Sequence, residues 1–115
     1  MFEAELVSIL LNVFTNALKA VRTQRTRRIL ATAYVADGSV HTVLCDTGVG
    51  LDPSQREEVF KPFVTTSAPD PILGVGTGLG LKIVRDLVQA YDGQVQFVDA
   101  SPPWKTCIEV VLPGE

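Results

Sequence analysis

Apolar residues recur every three to four positions from about Ala4 to Val21, with Leu6, Val7, Leu10, Phe14, Ala17, Leu18 and Val21 along one side. That period predicts an amphipathic helix carrying these residues toward a core. Farther on the pattern shortens into strand-length runs. "RRILATAYVADGSVHTVLCD" predicts two strands about a turn at Asp37-Gly38, a dipeptide suited to hairpins. "TGVGLDPSQREEVF" is a glycine-rich loop leading into a short helix, with Asp52 placed to cap it and Pro53 at its first position. "KPFVTTSAPDPILGVGTG" holds three of the seven prolines and several glycines, and predicts a loop. "LGLKIVRDLVQAY" predicts a second amphipathic helix, closed by Asp92-Gly93. "QVQFVDA" and "KTCIEVVLP" predict two final strands around a turn at Ser101-Pro102-Pro103.

The predicted order is helix, two strands, short helix, long loop, helix, two strands. Regular strand–helix alternation is missing, which argues against a doubly wound parallel sheet. The expected fold class is α+β: a two-layer α/β sandwich, its mixed, mostly antiparallel sheet covered by helices on one face.

Composition narrows the partners. The 115 residues fit one domain, 1–115, and a chain 46% hydrophobic and 20% charged is expected to pack a core. A net charge of −3 does not suggest nucleic acid or an anionic membrane. The basic stretch "RTQRTRR" (Arg22, Arg25, Arg27, Arg28) is read as a solvated helix end. Cys45 and Cys107 lie in separate apolar runs without C-x-x-C or a Cys/His cluster. Neither zinc nor a disulfide framework is indicated, and two reduced thiols in a cytosolic protein are expected. No apolar run is judged to approach a membrane span, and no signal peptide is visible.

Three stretches could carry chemistry. On the first helix Asn12, Asn16 and Lys19 fall within about 60° of one another, with Glu5 on the same stripe. For this helix alone an ordinary solvent-facing side is the simpler explanation. As a ligand face, it would offer an Asn carbonyl, a hard oxygen suited to Mg²⁺, and a lysine for phosphate oxygens. "TVLCDTGVGL" ends a strand with Asp46, Gly48 and Gly50. It reads as a strand-to-loop turn or as a purine pocket, where a carboxylate accepts from an exocyclic amine and glycines let a flat ring approach. An EF-hand is excluded, because glycines stand where its oxygen ligands belong. In "GVGTGLGLKIVRDLV", Gly74, Gly76, Gly78 and Gly80 alternate directly into a helix. Free N–H groups at such a start suit phosphates. The stretch is neither a Walker A motif nor G-x-G-x-x-G. "VFKPFVTTS" places Phe60 and Phe63 to pack the short helix or to anchor the base of the loop.

"NVFTNALKA", "DTGVG", "VFKPF" and "GVGTGLGL" resemble, in order and spacing, the N, G1, F and G2 boxes of sensor histidine kinases. These kinases share a superfamily with DNA gyrase, Hsp90 and MutL. The resemblance covers roughly residues 6–85 and implies an ATP-binding catalytic domain with Mg-ATP between its layers. Asn16 would match the Mg²⁺ ligand, Asn12 a phosphate-side or water-mediated partner, and Lys19 the phosphate-contacting base. Asp46 would receive the adenine amine, with Gly48 and Gly50 shaping the pocket. Residues from about 64 to 75 would form the lid. Gly76, Gly78 and Gly80 would hold the phosphates, with Thr77 as an additional contact. Phe60 and Leu79 complete the residues the resemblance assigns to ATP.

The family's hydrolytic members usually place Glu, a general base, where this chain has Asn12. An amide has no useful basicity, which favours a histidine kinase over an ATPase. No residue is assigned as catalytic. The single histidine, His41, lacks an acidic neighbour in sequence and a helical context, and is read as an ordinary sheet residue. The family usually has another strand before the N box, so an excised or natural minimal domain is expected. It would lack the dimerisation domain with the phosphoacceptor, be monomeric and cytoplasmic, and be incompetent for autophosphorylation by itself. Its implied partners are the histidine-containing dimerisation domain of its parent kinase and, indirectly, a response regulator. The competing reading is a non-catalytic nucleotide-binding regulatory module.

Overall fold

The computed structural model describes residues 3–61 and 80–114. Helix α1 spans Glu3–Val21, with Glu3 and Glu5 in its first turn and Lys19 in its last, each sign suited to the helix dipole. Strands β1 (Ile29–Ala36) and β2 (Ser39–Asp46) form the predicted hairpin. Asp37 (φ 52°) and Gly38 (φ 75°) are both left-handed, as a two-residue primed turn requires. The predicted short helix is instead two 3₁₀ turns, Pro53–Gln55 and Glu58–Phe60. Asp52 caps the first, its Oδ1 accepting from the Ser54 N–H at 2.9 Å. Helix α2 spans Gly80–Ala90, and strands β3 (Gln94–Val98) and β4 (Thr106–Pro113) follow.

The sheet order is β1-β2-β4-β3, and every pair of neighbours is antiparallel. The two-layer α+β arrangement is therefore as expected, while no parallel pair occurs among the described residues. Both helices pack on one face of the sheet. There Ile9, Val13 and Ala17 of α1 and Leu81, Val84 and Val88 of α2 meet Leu44, Val95, Phe97, Ile108 and Val110.

Three expectations need correction. The buried stripe of α1 is Ile9, Val13, Ala17 and Val21, whereas Leu6, Val7, Leu10 and Phe14 are 40–55% exposed. The core thus sits between the Asn12–Asn16 side and a second, apolar flank. That flank opens on a groove of about 260 Å³ lined by Leu10, Phe14, Ala31, Thr42 and Leu44, among others. Edge strand β1 is exposed on both faces between its two end residues. Second, α1 is long and apolar enough to cross a membrane by length and composition alone. Its buried residues face the sheet. Third, Cys45 and Cys107 are not two free thiols. They stand directly opposite each other on β2 and β4 and are joined by a disulfide. Their 62-residue separation hid a pairing that only the strand register reveals.

On the sheet face away from the helices, the His41 ring stacks on Tyr34 with centroids 4.8 Å apart. Its Nδ1 lies 3.3 Å from Glu109 Oε2. His41 does have an acidic neighbour, then, but in space rather than in sequence.

Candidate functional site

The C-terminal end of β2 and the polar side of α1 enclose a cavity of about 40 Å³. Its lining includes Asn16 and Ala20 of α1, Asp46 at the end of β2, Gly50 in the loop beyond it, Leu81 of α2 and Thr106 of β4. Asp46 ends β2 with its side chain on the helix-covered face and is 4% exposed. Its Oδ1 accepts from the Gly48 N–H at 2.9 Å. Burial raises the Asp46 pKa above the usual carboxylate value, partly opposed by that hydrogen bond. A carboxylate kept in such a place has room for a further donor, because each oxygen accepts more than one hydrogen bond.

The loop after Asp46 is held against α1 and the chain that follows it. The Val49 N–H donates to the Ala20 carbonyl at 3.2 Å, and the Thr47 N–H to the Arg28 carbonyl at 3.1 Å. Thr47 is buried; its hydroxyl donates to the Thr26 carbonyl and accepts from the Arg28 N–H, each at 2.9 Å. Gly48 is required by this approach. A Cβ there would stand 2.6 Å from the Ala20 backbone, a distance that forces the loop off the helix. Gly50 turns the chain with φ 81°, where other residues are strained.

Asn12 and Asn16 differ in engagement. Asn12 Nδ2 donates to the Ser8 carbonyl at 2.7 Å. Its Oδ1 faces the start of α2, only 3.1 Å from where a Cβ on Gly80 would be. Gly80 therefore admits the Asn12 amide against the helix N-terminus. No described residue engages the Asn16 side chain, which is exposed at the cavity. Lys19 is half-buried on the last turn of α1, three residues beyond Asn16.

The structure thus brings Asn16, Asp46 and Gly50 to one cavity, with Gly48 supporting its loop and Asn12 and Gly80 meeting at the start of α2. Phe60 is in the core, 5.4 Å from Phe97 between ring centroids and beneath the Arg85 guanidinium. Its neighbour Val59 lines the cavity. Gly76, Thr77, Gly78, Leu79 and the expected lid lie outside the described residues. Sequence reasoning missed Thr106 and Thr47. Thr106 is opposite Asp46 in the strand register, which no local pattern encodes. Thr47 sits inside "DTGVG" but draws its role from partners about twenty residues upstream.

Among the described residues no cluster of His, Cys, Asp and Glu could hold a metal ion. A divalent ion here would take an amide oxygen, as Asn16 offers, together with water and ligand oxygens. That donor set fits Mg²⁺ and not a thiolate- or imidazole-seeking metal.

Residues 2–115 match the family model described as histidine kinase-, DNA gyrase B- and HSP90-like ATPase. The chain is 38% identical over 114 residues to the autoinducer 2 sensor kinase/phosphatase LuxQ of Vibrio parahaemolyticus, covering 96% of this chain and 13% of that protein. It is 34% identical over 108 residues to the histidine protein kinase DivJ of Caulobacter vibrioides, covering 94% and 17%. The chain therefore spans less than a fifth of these relatives. Among solved structures, the mycobacterial sensor histidine kinase MprB superposes with a TM-score of 0.83 at 31% identity, covering all of this chain and 74% of that one. Full-length ShkA in complex with AMPPNP superposes at 0.70 with 33% identity, covering 97% and 21%. Matched over residues 2–115 by the family model and along nearly its whole length by these kinases, the chain is a member of the histidine kinase-, DNA gyrase B- and HSP90-like ATPase family, resembling the ATP-binding catalytic domains of sensor histidine kinases.

Proposed function

We propose that residues 1–115 form one catalytic domain that binds Mg-ATP and passes the γ-phosphoryl group to a histidine on a separate dimerisation domain of the same kinase. The observation that carries this reading is Asp46, a buried carboxylate lining the same cavity as Asn16. Asp46 would accept from the adenine amine. Asn16 would hold Mg²⁺, which neutralises phosphate charge when bound, and Lys19 would face the phosphates from the same side of α1. The N-terminus of α2 at Gly80, with Gly76, Thr77 and Gly78 before it, would supply N–H donors. Val49, 60% exposed, stands at the solvent side of the lining.

Asn12 bears on the reaction class. Its amide donates to Ser8 and presents oxygen toward Gly80, and it cannot take a proton from water. Positioning and charge stabilisation can nevertheless support phosphoryl transfer to a nucleophile brought by another domain. His41 is on the opposite face of the sheet from the cavity and is engaged by Tyr34 and Glu109, which supports an acceptor outside this segment. The segment would work in the cytoplasm as a monomer, without nucleic acid or membrane contact, and a response regulator would receive the phosphoryl group in turn.

The test supplies a histidine-containing dimerisation domain in trans with γ-labelled ATP. The expected result is label on that domain, lost with Asn16→Ala and with Asp46→Ala. Tight nucleotide binding without transfer to any cognate domain would favour a non-catalytic regulatory module.

A further inference from the structure

Cys45 and Cys107 take no part in the nucleotide reading, yet each is one residue away from it. They are opposed across β2 and β4 with Cα atoms 4.1 Å apart. Cys45 precedes Asp46, and Cys107 follows Thr106, the two opposed residues of the cavity lining. Successive strand side chains alternate between faces. The sulfur pair is therefore on the sheet face away from the helices, while Asp46 and Thr106 face the cavity. A small thiol or disulfide can approach the pair without passing the nucleotide. Cys45 is half-buried and Cys107 only 5% exposed, so Cys45 is the sulfur that solution reagents meet first.

We propose that Cys45 and Cys107 form a thiol–disulfide switch, operated by a low-molecular-weight disulfide such as oxidised glutathione, that sets how tightly the adjoining cavity holds its nucleotide. This rests on the nucleotide reading above. In the oxidising direction the Cys45 thiolate attacks one sulfur of oxidised glutathione and displaces a glutathione thiolate. The Cys107 thiolate then attacks Cys45 Sγ of the mixed disulfide and displaces the second. Two protein thiols lose two electrons, one glutathione disulfide gains them, and the two protons leave with the two glutathione thiols.

The coupling is mechanical. The bond ties β2 to β4 beside the Asp46–Thr106 pair, where the Lys105 N–H also donates to the Asp46 carbonyl at 2.8 Å. Oxidation holds that end of the sheet at one spacing, and reduction lets it relax. The oxidised chain binds Mg-ATP about fivefold more tightly, at the lower edge of common coupling strengths. Linkage is reciprocal, so saturating nucleotide favours the disulfide by the same factor, about 20 mV for this two-electron couple.

The test equilibrates the native chain with oxidised glutathione or with dithiothreitol, counts thiols, and measures Mg-AMPPNP affinity by calorimetry in each state. Two thiols should appear on reduction, with a fivefold weaker affinity. The Cys45→Ser/Cys107→Ser chain should show the weaker affinity under both conditions. Equal affinities in two states that differ in thiol count overturn the switch while leaving nucleotide binding intact. Two free thiols persisting in oxidised glutathione also overturn it. A reduced chain that loses its native circular dichroism marks the bond as a structural staple and overturns it as well. Absence of binding in both states overturns the nucleotide reading and the switch together.

Discussion

The surroundings of Asp46 work against its charge. Burial makes the folded state bind a proton more tightly than the unfolded chain does. The stability from this group is therefore fully present below the unfolded pKa and is lost as pH rises through the raised, folded value. In its ionised form the buried side chain opposes folding, and its use is what it accepts. Asp46→Asn is accordingly expected to raise the melting temperature at neutral pH while weakening ATP binding roughly ten- to a hundredfold, the worth of one hydrogen bond to a charged group. Calorimetric titration and thermal melting of the same variant check both signs. In the native chain, ATP affinity should fall as pH drops through the raised value, because a protonated acid is a poorer acceptor. The sequence makes Asp46 and its glycines legible through their local spacing. It does not reveal Thr47, whose hydroxyl is held by Thr26 and Arg28, because partners so far upstream leave no mark on a motif.

At the scale of elements, α1 shows what periodicity conveys and what it omits. The 3.6-residue repeat locates the helix within a residue or two, but it does not say which apolar side meets the sheet. Ile9 is fully buried while its neighbour Leu10 is 43% exposed. Ile9→Ala should cost about 2–5 kcal/mol in urea unfolding. Leu10→Ala should cost about 1 kcal/mol, in proportion to the smaller area it withdraws from water. Equal costs would contradict the observed orientation of the helix. The predicted short helix failed for a related reason. Asp52 and Pro53 do start a turn, as their chemistry dictates, but too few residues follow for α-helical hydrogen bonds to propagate. The cysteine pair was illegible because register is a property of two strands, and β2 and β4 are far apart in sequence.

At the scale of the whole molecule, ligand and fold share one equilibrium. A ligand at a hundred times its dissociation constant stabilises the folded state by about 2.7 kcal/mol. Mg-ATP at that concentration should raise the melting temperature by several degrees. Asn16→Ala or removal of Mg²⁺ with a chelator should erase the magnesium-dependent part of the rise. A magnesium effect that survives Asn16→Ala would remove that residue from the metal's coordination. The layer architecture was legible because hairpin signals and helical periods are local. The strand order β1-β2-β4-β3 was not, since it places the last strand between the second and third.

Edge strand β1 has a consequence for how the protein behaves in a tube. Its sequence, ILATAYVA, carries no charge, no proline and no glycine, and charge and proline are among the usual devices that keep an open strand edge from recruiting another. Val35 is 73% exposed near the hairpin end of this strand. Net charge opposes association of copies, and it vanishes near the isoelectric point of about 5.1. Light scattering from concentrated solutions should climb steeply as pH approaches that value. Val35→Lys, which puts a solvated cation on the open edge, should suppress the climb, so the buffer in which this chain stays clear is set by eight residues at one margin of its sheet.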